Sequence, residues 1–498
     1  MLSNKIILII LFLYVFILQL FVNIDSFLYS ITEHYDSSVF FMCGKALFNG
    51  LIPYTDFADS KGLLLWIIYG IGYKLSNHSY IGVFFISCLN YWITLIIAYK
   101  SARLILNKNR SLIAAMTMAI PYFYWNFYTE TKAEHFCLPF VAFSFYFLMY
   151  LIYKKEDSHI KWKSLAIGMS FIACIMLKWS IGIMLISIIF SVSVYAHRIK
   201  QLKNYLIFLF LGSIISLTPF IIYFTINNNI NDFINEYFIN TLSTVNVPLD
   251  ETIDSYIKEW GLVFTSKRII YFIYILPLLI FFIKEKKIYS LLPFLSGLFF
   301  LALSIRHDNF GHYISIVAPF SIFFIILIIL YFDKIKNGIK YYCLFLVLGL
   351  CYIIWGKIHY SNTFFTKSKN DTQFEYINRI IYQIERPTII NIGQDWGFGI
   401  AKTLPACRYW ISQMGRTEEM HNAQIKSLAD RNANFIFLYD SNVINEYEET
   451  VINLGYKKIV SYLSVNIYCK DSVDIDFPKK EVTPIDILLK RDTQQIYK

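Results

Sequence analysis

The stretch that organises this chain runs from Asp36 to Gly62 and reads DSSVFFMCGKALFNGLIPYTDFADSKG. Apolar residues recur at helical spacing in its first half, which predicts an amphipathic helix lying on a membrane surface, with Asp36 near its N-terminus. Pro53-Tyr54 ends that helix and begins an extended loop. A loop of this length is usually functional in a membrane protein, although a solvated connector would carry the same charges.

The composition is that of a protein that crosses a membrane many times. Of the 498 residues, 56% are hydrophobic and 16% are charged, and the mean hydropathy is +0.49. A soluble chain of this length does not need so much apolar surface. The net charge of +10 does not indicate nucleic-acid binding, because the basic residues lie in short loops between apolar runs.

About eleven transmembrane helices are predicted from apolar runs of roughly 20 residues. They cover residues 5–24, 79–99, 111–126, 135–153, 164–177, 180–196, 204–226, 268–283, 288–304, 312–332 and 340–356. The run 62–75 is too short for a span and is predicted to be a helix packed at the interface. The fold class is therefore an all-α polytopic membrane protein.

Basic residues fill five loops on one side of these spans, and the positive-inside rule makes that side cytoplasmic. The first apolar run lacks a small-residue cleavage site and is predicted to be a retained span rather than a signal peptide. The chain is thus predicted to be integral to a bacterial plasma membrane. Its acidic loops form the extracytoplasmic face, where the chemistry is expected.

Two domains are predicted. Residues 1–356 form the transmembrane domain, whose first outer loop at 25–62 carries the chemistry, and residues 357–498 form a small extracytoplasmic α/β domain. Three strand-like runs and one helical run support this second domain; they are Thr388–Ile392, Asn434–Leu438, Lys458–Tyr462 and Glu418–Asp430. The residues from Pro478 onward are predicted to be a poorly tied tail.

Ionisable residues lie where the predicted spans end on the acidic side, and each also has a structural explanation. Asp36 is placed to act as a general base for an acceptor hydroxyl or amine, or else it caps its helix. Lys61 follows Asp56 and Asp59 and suits a phosphate, or else it forms a surface ion pair. Lys178 lies at a tight turn between two spans, where it binds a ligand or extends to the interface.

Two further groups complete the candidate site. Glu130 and Glu134 are four residues apart and share a helix face, so they bind a cation, orient an acceptor or simply begin a solvated helix. The run RHDNFGHY joins Arg306 to His307, His312 and Tyr313, a combination that suits a phosphate or a sugar.

The eight cysteines show no metal-binding spacing, so no metal site is predicted, and no cofactor is certain. The acidic residues could bind a divalent cation, and the sequence leaves open whether they do. The sequence also leaves open whether Cys407 and Cys469, both in the polar tail, form a disulfide.

Three segments together resemble the GT-C superfamily of integral membrane glycosyltransferases, in particular glycosyltransferase family 39. That family includes the protein O-mannosyltransferases and the lipid A aminoarabinose transferases. The segments are 36–62, with its Asp, its Pro-Tyr turn and its acidic-x-Lys ending, TETKAEHFCLPF at 129–140, and GHYISIVAPF at 311–320. The resemblance covers about residues 1–330.

The resemblance implies a helical core that uses a polyprenyl-phosphate sugar as donor and a lipid, glycan or protein as acceptor, with inversion at the sugar. It implies that Asp36 is the catalytic base. The donor phosphate is then held by Lys61, Lys178, Arg306, His307 and His312, and the acceptor or sugar by Asp56, Asp59, Glu130, Glu134 and Tyr313.

This chain departs from the family pattern at two places. Many relatives have a second acid after the first Asp, or prolines after the lysine, where this chain has Ser37 and Gly62-Leu63. The subfamily and the acceptor are therefore left open.

Other functions remain open on the sequence alone. The nearest is a lipid-linked oligosaccharide polymerase or ligase. A transporter or flippase of lipid-linked sugars is a different class, and it typically shows inverted repeats and mid-span charges, which this sequence lacks. A sensor or scaffold would leave the charges of the first loop unexplained.

Overall fold

The chain folds into a helical membrane domain followed by a small domain built on a five-stranded sheet. The computed structural model describes residues 3–29, 35–77, 79–123, 131–154, 159–243, 272–279, 291–305, 311–360, 364, 377–392, 403–411, 418–439, 441–462, 465–473 and 475.

Helices make up the first part of the chain. They are α1 (Asn4–Val22), α2 (Tyr35–Phe48), α3 (Leu63–Leu75), α4 (Ile81–Ala102), α5 (Lys108–Thr117), α6 (Ala119–Phe123), α7 (Ala133–Lys154), α8 (Ile160–Leu177), α9 (Trp179–Arg198) and α10 (Leu202–Ile226). After α10, the short helix α11 (Ile230–Phe233) continues as a π-helix (Ile234–Asn240) into α12 (Thr241–Ser243). The later membrane helices are α13 (Leu292–Ile305), a 3₁₀ segment (Gly311–Ser321), α14 (Ile322–Phe332) and α15 (Gly338–Tyr360).

Eight of these segments are long and apolar enough to cross a membrane. They are α1, α4, α7, α8, α9, α10, Tyr313–Phe332 and α15. The predicted count of eleven is not confirmed within the part of the chain that the structure describes. The predicted span 111–126 contains two short helices, 288–304 yields the 14-residue helix α13, and half of 268–283 lies outside the described residues.

Contacts between loops distinguish the two ends of the helical bundle. Arg110 NH2, in the first turn of α5, lies 2.8 Å from Oδ1 of Asp333, which directly follows α14, so the start of α5 and the end of α14 meet at one end. At the other end, the backbone N–H of Gly62 donates to the carbonyl of Leu177, which is the last residue of α8. The predicted site residues that the structure describes lie at this second end.

Helix α2 is largely covered by protein, so it lacks the solvent-exposed polar face that the predicted amphipathic surface helix would have. Its polar residues Ser37 and Lys45 are as buried as its apolar residue Phe41. It packs tightly along α3, because a Cβ on Gly44 would lie 2.5 Å from the backbone nitrogen of Gly70. The apolar spacing therefore predicted the helix but did not predict that its polar residues are buried as well.

The C-terminal domain confirms the predicted α/β class. Its strands are β1 (Thr388–Ile392), β2 (Leu404–Pro405), β3 (Phe435–Tyr439), β4 (Tyr456–Tyr462) and β5 (Val465–Lys470), in the order β2-β1-β3-β5-β4. The pairs β2-β1 and β1-β3 are parallel, whereas β3-β5 and β5-β4 are antiparallel. Helices α16 (Glu418–Ala429) and α17 (Ser441–Asn453) connect the strands. The three strand-like runs correspond to β1, β3 and β4, whereas β5 was not predicted.

All eight cysteines are free, which answers the open question about Cys407 and Cys469. Cys469 lies in β5 opposite Phe435 of β3, whereas Cys407 follows the edge strand β2. Two strands separate β2 from β5 in the sheet, and each adds about 4.8 Å. The two thiols are therefore too far apart for a disulfide.

Candidate active site

A buried tyrosine sets the course of the loop that joins α2 to α3. Tyr54 has a φ of 64°, a left-handed conformation that a bulky residue rarely adopts. Its ring packs 4.8 Å from that of Trp66 and 5.3 Å from that of Phe233, and its hydroxyl donates to the carbonyl of Lys61 at 2.9 Å. The tertiary contacts of one side chain therefore hold the loop end that carries Lys61 against the membrane domain.

Close backbone packing brings Lys61 beside the turn that carries Lys178. A Cβ on Gly62 would lie 2.0 Å from the carbonyl oxygen of Met176. Only glycine allows this approach, which gives a physical reason for glycine at this position. Lys178 itself lies in extended conformation between α8 and α9.

Lys178 is held by two partners at this turn. Its ammonium group donates to Oε1 of Glu134, at the start of α7, and lies 3.5 Å from the centroid of the Tyr313 ring. The exposed fractions of the Lys178 and Glu134 side chains are only 13% and 4%, so this ion pair is largely shielded from solvent. A buried carboxylate and an aromatic face thus keep a charged lysine at a fixed place.

Asp36 forms a second ion pair next to the first. Its Oδ2 lies 2.9 Å from Nζ of Lys132, two residues before Glu134 along the chain. Asp36 lies in the first turn of α2, where the helix dipole favours a negative charge, and is not the capping residue outside the helix. The Asp36 side chain is 40% exposed, so solvent and ligands reach it.

Buried hydrogen bonds hold the segment that carries Lys132 against α2. The hydroxyl of Tyr69 donates its one proton to the carbonyl of Thr131 and lies 3.2 Å from Oγ of Ser37, and the N–H of Thr131 donates to Oδ2 of Asp25 at 2.8 Å. Asp25 is 2% exposed and lies three residues after the end of α1. This network fixes the distance between α2 and α7, and with it the Asp36–Lys132 pair.

Asp59 and Lys61 influence each other's protonation in the same loop. Burial raises the pKa of the Asp59 carboxyl, and the charge of Lys61 opposes that rise. Burial alone would lower the pKa of Lys61, but Asp59 and Asp36 raise it above its ordinary value. Lys61 is therefore a cation at neutral pH. Among the residues that the structure describes, none donates a hydrogen bond to the buried oxygen Oδ2 of Asp59.

The structure brings six of the predicted residues to one end of the bundle through these contacts, namely Asp36, Asp59, Lys61, Glu134, Lys178 and Tyr313. Asp56 instead closes a local turn, where its Oδ2 accepts from the N–H of Ile52 at 2.7 Å. Glu130, Arg306 and His307 lie outside the described residues, as does the side chain of His312. No group of three metal-binding side chains occurs in the described part of the chain.

Several residues of the site were not predicted from the sequence. Lys132 stands inside the quoted segment TETKAEHFCLPF, but only the fold shows that it pairs with Asp36. Asp25 carries a weak signal, because it is an acidic residue directly after the first predicted span. Arg408, whose contacts with the first loop are described below, carries no local signal at all.

Part of the chain matches a family of known proteins. Residues 61–224 match a family model described as dolichyl-phosphate-mannose-protein mannosyltransferase. The matched region contains Lys61, Glu134 and Lys178, whereas Asp36 precedes it. No curated protein sequence matches the chain significantly.

Solved structures match over nearly the whole chain. One is ArnT from Cupriavidus metallidurans bound to undecaprenyl phosphate, at 11% identity and a TM-score of 0.60, covering 92% of this chain and 97% of that one. Another is the Archaeoglobus fulgidus oligosaccharyltransferase in complex with Zn and sulfate, at 12% identity and a TM-score of 0.52, covering 93% and 73%. A third is AglB from Archaeoglobus fulgidus with an inhibitory peptide and a dolichol-phosphate, at 11% identity and a TM-score of 0.50, covering 96% and 75%.

These matches define the class of fold. The chain has the fold of the GT-C membrane glycosyltransferases, so the predicted resemblance is confirmed. At identities of 10–12% the structural matches concern the architecture, and the chemistry has to be argued from the residues of this chain.

Proposed function

We propose that this protein transfers a sugar from a polyprenyl phosphate to an acceptor on the extracytoplasmic side of a bacterial plasma membrane. The observation that carries the proposal is that the loop end with Lys61 packs against the end of α8 directly before Lys178, while Asp36 and Glu134 are near enough to raise the pKa of Lys61. This arrangement provides two cations for a phosphate and a nearby base for an acceptor.

The two lysines suit the leaving group of this reaction. A lipid phosphate lies at the level of the headgroups. Lys178 lies at the turn between the membrane helices α8 and α9, and the loop end that carries Lys61 packs against that turn. As the bond between the sugar and the phosphate breaks, negative charge grows on the phosphate oxygen that leaves. Lys61 and Lys178 stabilise that charge through charge-assisted hydrogen bonds.

The carboxylate of Asp36 acts on the other reactant. It accepts the proton of the acceptor hydroxyl or amine while the acceptor attacks the anomeric carbon, and the electron pair of the broken bond leaves with the phosphate. Lys132 keeps Asp36 oriented until the acceptor displaces it. Attack opposite the leaving phosphate inverts the anomeric centre in this single displacement.

Asp59 is the group that we assign to the acceptor or sugar. Its buried oxygen Oδ2 receives no hydrogen bond from the residues that the structure describes, so a ligand hydroxyl or amine would supply the missing donor. Tyr313, which already packs on Lys178, would border the same ligand.

Undecaprenyl phosphate is released whichever acceptor takes the sugar, so its release provides the test. We would incubate the protein in proteoliposomes with undecaprenyl phosphate that carries labelled mannose, glucose, galactose or aminoarabinose, together with a cell-envelope extract as acceptor. We expect one of these sugars to give release of undecaprenyl phosphate, and Asp36→Asn to abolish the release. Wild-type protein that releases none from any of the four donors would contradict the proposal.

The same assay separates the alternative functions. A flippase moves the labelled lipid across the vesicle membrane without breaking the bond between sugar and phosphate, so no undecaprenyl phosphate appears. An oligosaccharide ligase releases its lipid carrier only when the donor carries an oligosaccharide.

A further inference from the structure

One arginine of the C-terminal domain reaches into the membrane domain beside the first loop. The guanidinium of Arg408 donates through Nε to the carbonyl of Thr55 at 3.2 Å, through NH2 to Oδ1 of Asp232 at 3.0 Å, and through NH1 to Oε1 of Glu236 at 3.2 Å. Glu236 is 7% exposed and lies in the π-helix that follows α11. One side chain therefore connects three separate parts of the chain.

Neighbouring contacts reinforce this connection. The backbone carbonyl of Arg408 accepts from the N–H of Ala58 at 2.9 Å, and the hydroxyl of Tyr409 donates to Oε1 of Glu236 at 2.6 Å. Ala58 also packs with Tyr409 and Met420 in a small apolar cluster. The segment at Arg408 thus binds the first loop through both its side chain and its backbone.

The loop at residues 55–58 is supported from both domains. The hydroxyl of Thr55 donates to Oδ2 of Asp232 at 2.7 Å and the ring of Phe57 packs 5.2 Å from that of Trp66, whereas Arg408 binds the carbonyl of Thr55 and the N–H of Ala58. Lys61 is held by the membrane domain, through the hydroxyl of Tyr54 and the N–H of Gly62. The C-terminal domain therefore adds its contacts directly before Asp59, which follows Ala58.

We propose that Arg408 is a positioning residue that places Asp59 for the reaction, so that the C-terminal domain is a working part of the active site. The inference rests on the proposed function for its catalytic consequence, whereas the mechanical connection stands on the contacts alone. Loss of Arg408 shifts the position of Asp59, whereas Lys61 still binds the donor phosphate.

Arginine suits this position better than lysine. Its planar fork reaches three acceptors at fixed angles, whereas an ammonium group concentrates its donors at one point. Arg408→Lys therefore keeps a positive charge between Asp232 and Glu236, which protects the fold, but loses the bond to Thr55. Arg408→Ala removes the whole connection.

Hydrogen exchange tests the connection without any need for activity. In nanodisc-embedded protein, Arg408→Ala is expected to speed exchange of the amides of residues 54–59 about 10-fold or more. Arg408→Lys shows the same change to a smaller extent. The matched control is Lys458→Met, which breaks an ion pair of 2.9 Å with Glu448 elsewhere in the same domain and leaves the loop unchanged. Wild-type exchange in a folded Arg408→Lys and a folded Arg408→Ala protein would overturn the proposal.

A kinetic measurement tests the role in the reaction. With the labelled undecaprenyl-phosphate donor, Arg408→Ala is expected to lower kcat by about 10- to 100-fold, the effect of a small misplacement of a reacting group. The KM for the donor stays within about twofold, because Lys61 keeps its own supports, and Arg408→Lys recovers part of kcat. A KM that rises while kcat holds would contradict the assignment to Asp59. If wild-type protein transferred no sugar, the proposed function would fail, and the exchange experiment would still decide on the connection.

Discussion

Replacing Lys178 by glutamine probes the proposed phosphate site directly. The change removes a charge and keeps a hydrogen-bond donor of similar reach, so Glu134 retains a partner. Lys178 and Glu134 are 13% and 4% exposed, and removing one partner of a buried ion pair usually costs about 3–5 kcal/mol of stability. Because glutamine still donates to Glu134, we expect a loss at the lower end of that range.

The expected loss in donor affinity follows from the bond that is removed. A hydrogen bond to a charged group contributes about 1.5–3 kcal/mol, which corresponds to roughly a 10- to 150-fold weaker Kd. The ion pair with Glu134 and the contact with the Tyr313 ring both compete with the phosphate for Lys178. We therefore expect Lys178→Gln to raise the dissociation constant of undecaprenyl phosphate, measured in nanodiscs, by about 10-fold.

Two further variants separate binding from folding. Combining Lys178→Gln with Glu134→Gln leaves no buried charge in the pair, so stability recovers while phosphate binding stays weak. Lys163→Gln is the matched control, because Lys163 lies 3.1 Å from the centroid of the Tyr150 ring near the opposite end of α8. A folded Lys178→Gln protein with wild-type affinity for undecaprenyl phosphate would refute this account of the phosphate site.

The remaining predictions concern the base, the loop and the orientation. Asp36→Asn keeps the side chain's size but cannot accept a proton, so we expect transfer to fall about 100- to 10,000-fold with unchanged donor affinity; near-normal turnover would exclude Asp36 as the base. Tyr54→Phe keeps the buried ring but loses the bond to Lys61, so we expect about 1 kcal/mol lower stability and weaker donor binding, measured by thermal unfolding and by Kd. Asp430→Cys and not Asn109→Cys is expected to react with an impermeant maleimide on intact cells, in a background without the native cysteines; the opposite pattern would invert the orientation.

The sequence predicted the class of the fold because membrane spans are recognisable from the length and hydropathy of apolar runs. The sequence did not predict the burial of polar residues on α2. Ser37 and Lys45 are buried to nearly the same extent as Phe41, whereas an amphipathic helix would expose them. Nor is the predicted count of eleven spans confirmed in the described part of the chain, where one of the predicted apolar runs is divided between two short helices, α5 and α6. Hydropathy indicates whether a side chain prefers to leave water, but it does not indicate which part of the protein will cover that side chain.

The candidate site shows the same division between local and long-range information. Asp36, Lys61 and Lys178 were recognisable singly because each is an ionisable residue at the end of an apolar run. The pairing of Asp36 with Lys132 depends on the packing of α2 near α7, which no local pattern encodes. The contact of Arg408 with Thr55 joins residues 353 positions apart, so only the fold reveals it.

The position of the lipid phosphate in a structure determined with undecaprenyl phosphate tests the account most directly. We expect phosphate oxygens at about 3 Å from Nζ of both Lys61 and Lys178, with the polyprenyl chain running into the membrane from that point. Asp36 should face the phosphate across a gap wide enough for a sugar. Density for the phosphate at the end of the bundle marked by Arg110 and Asp333, or away from both lysines, would contradict the proposed site.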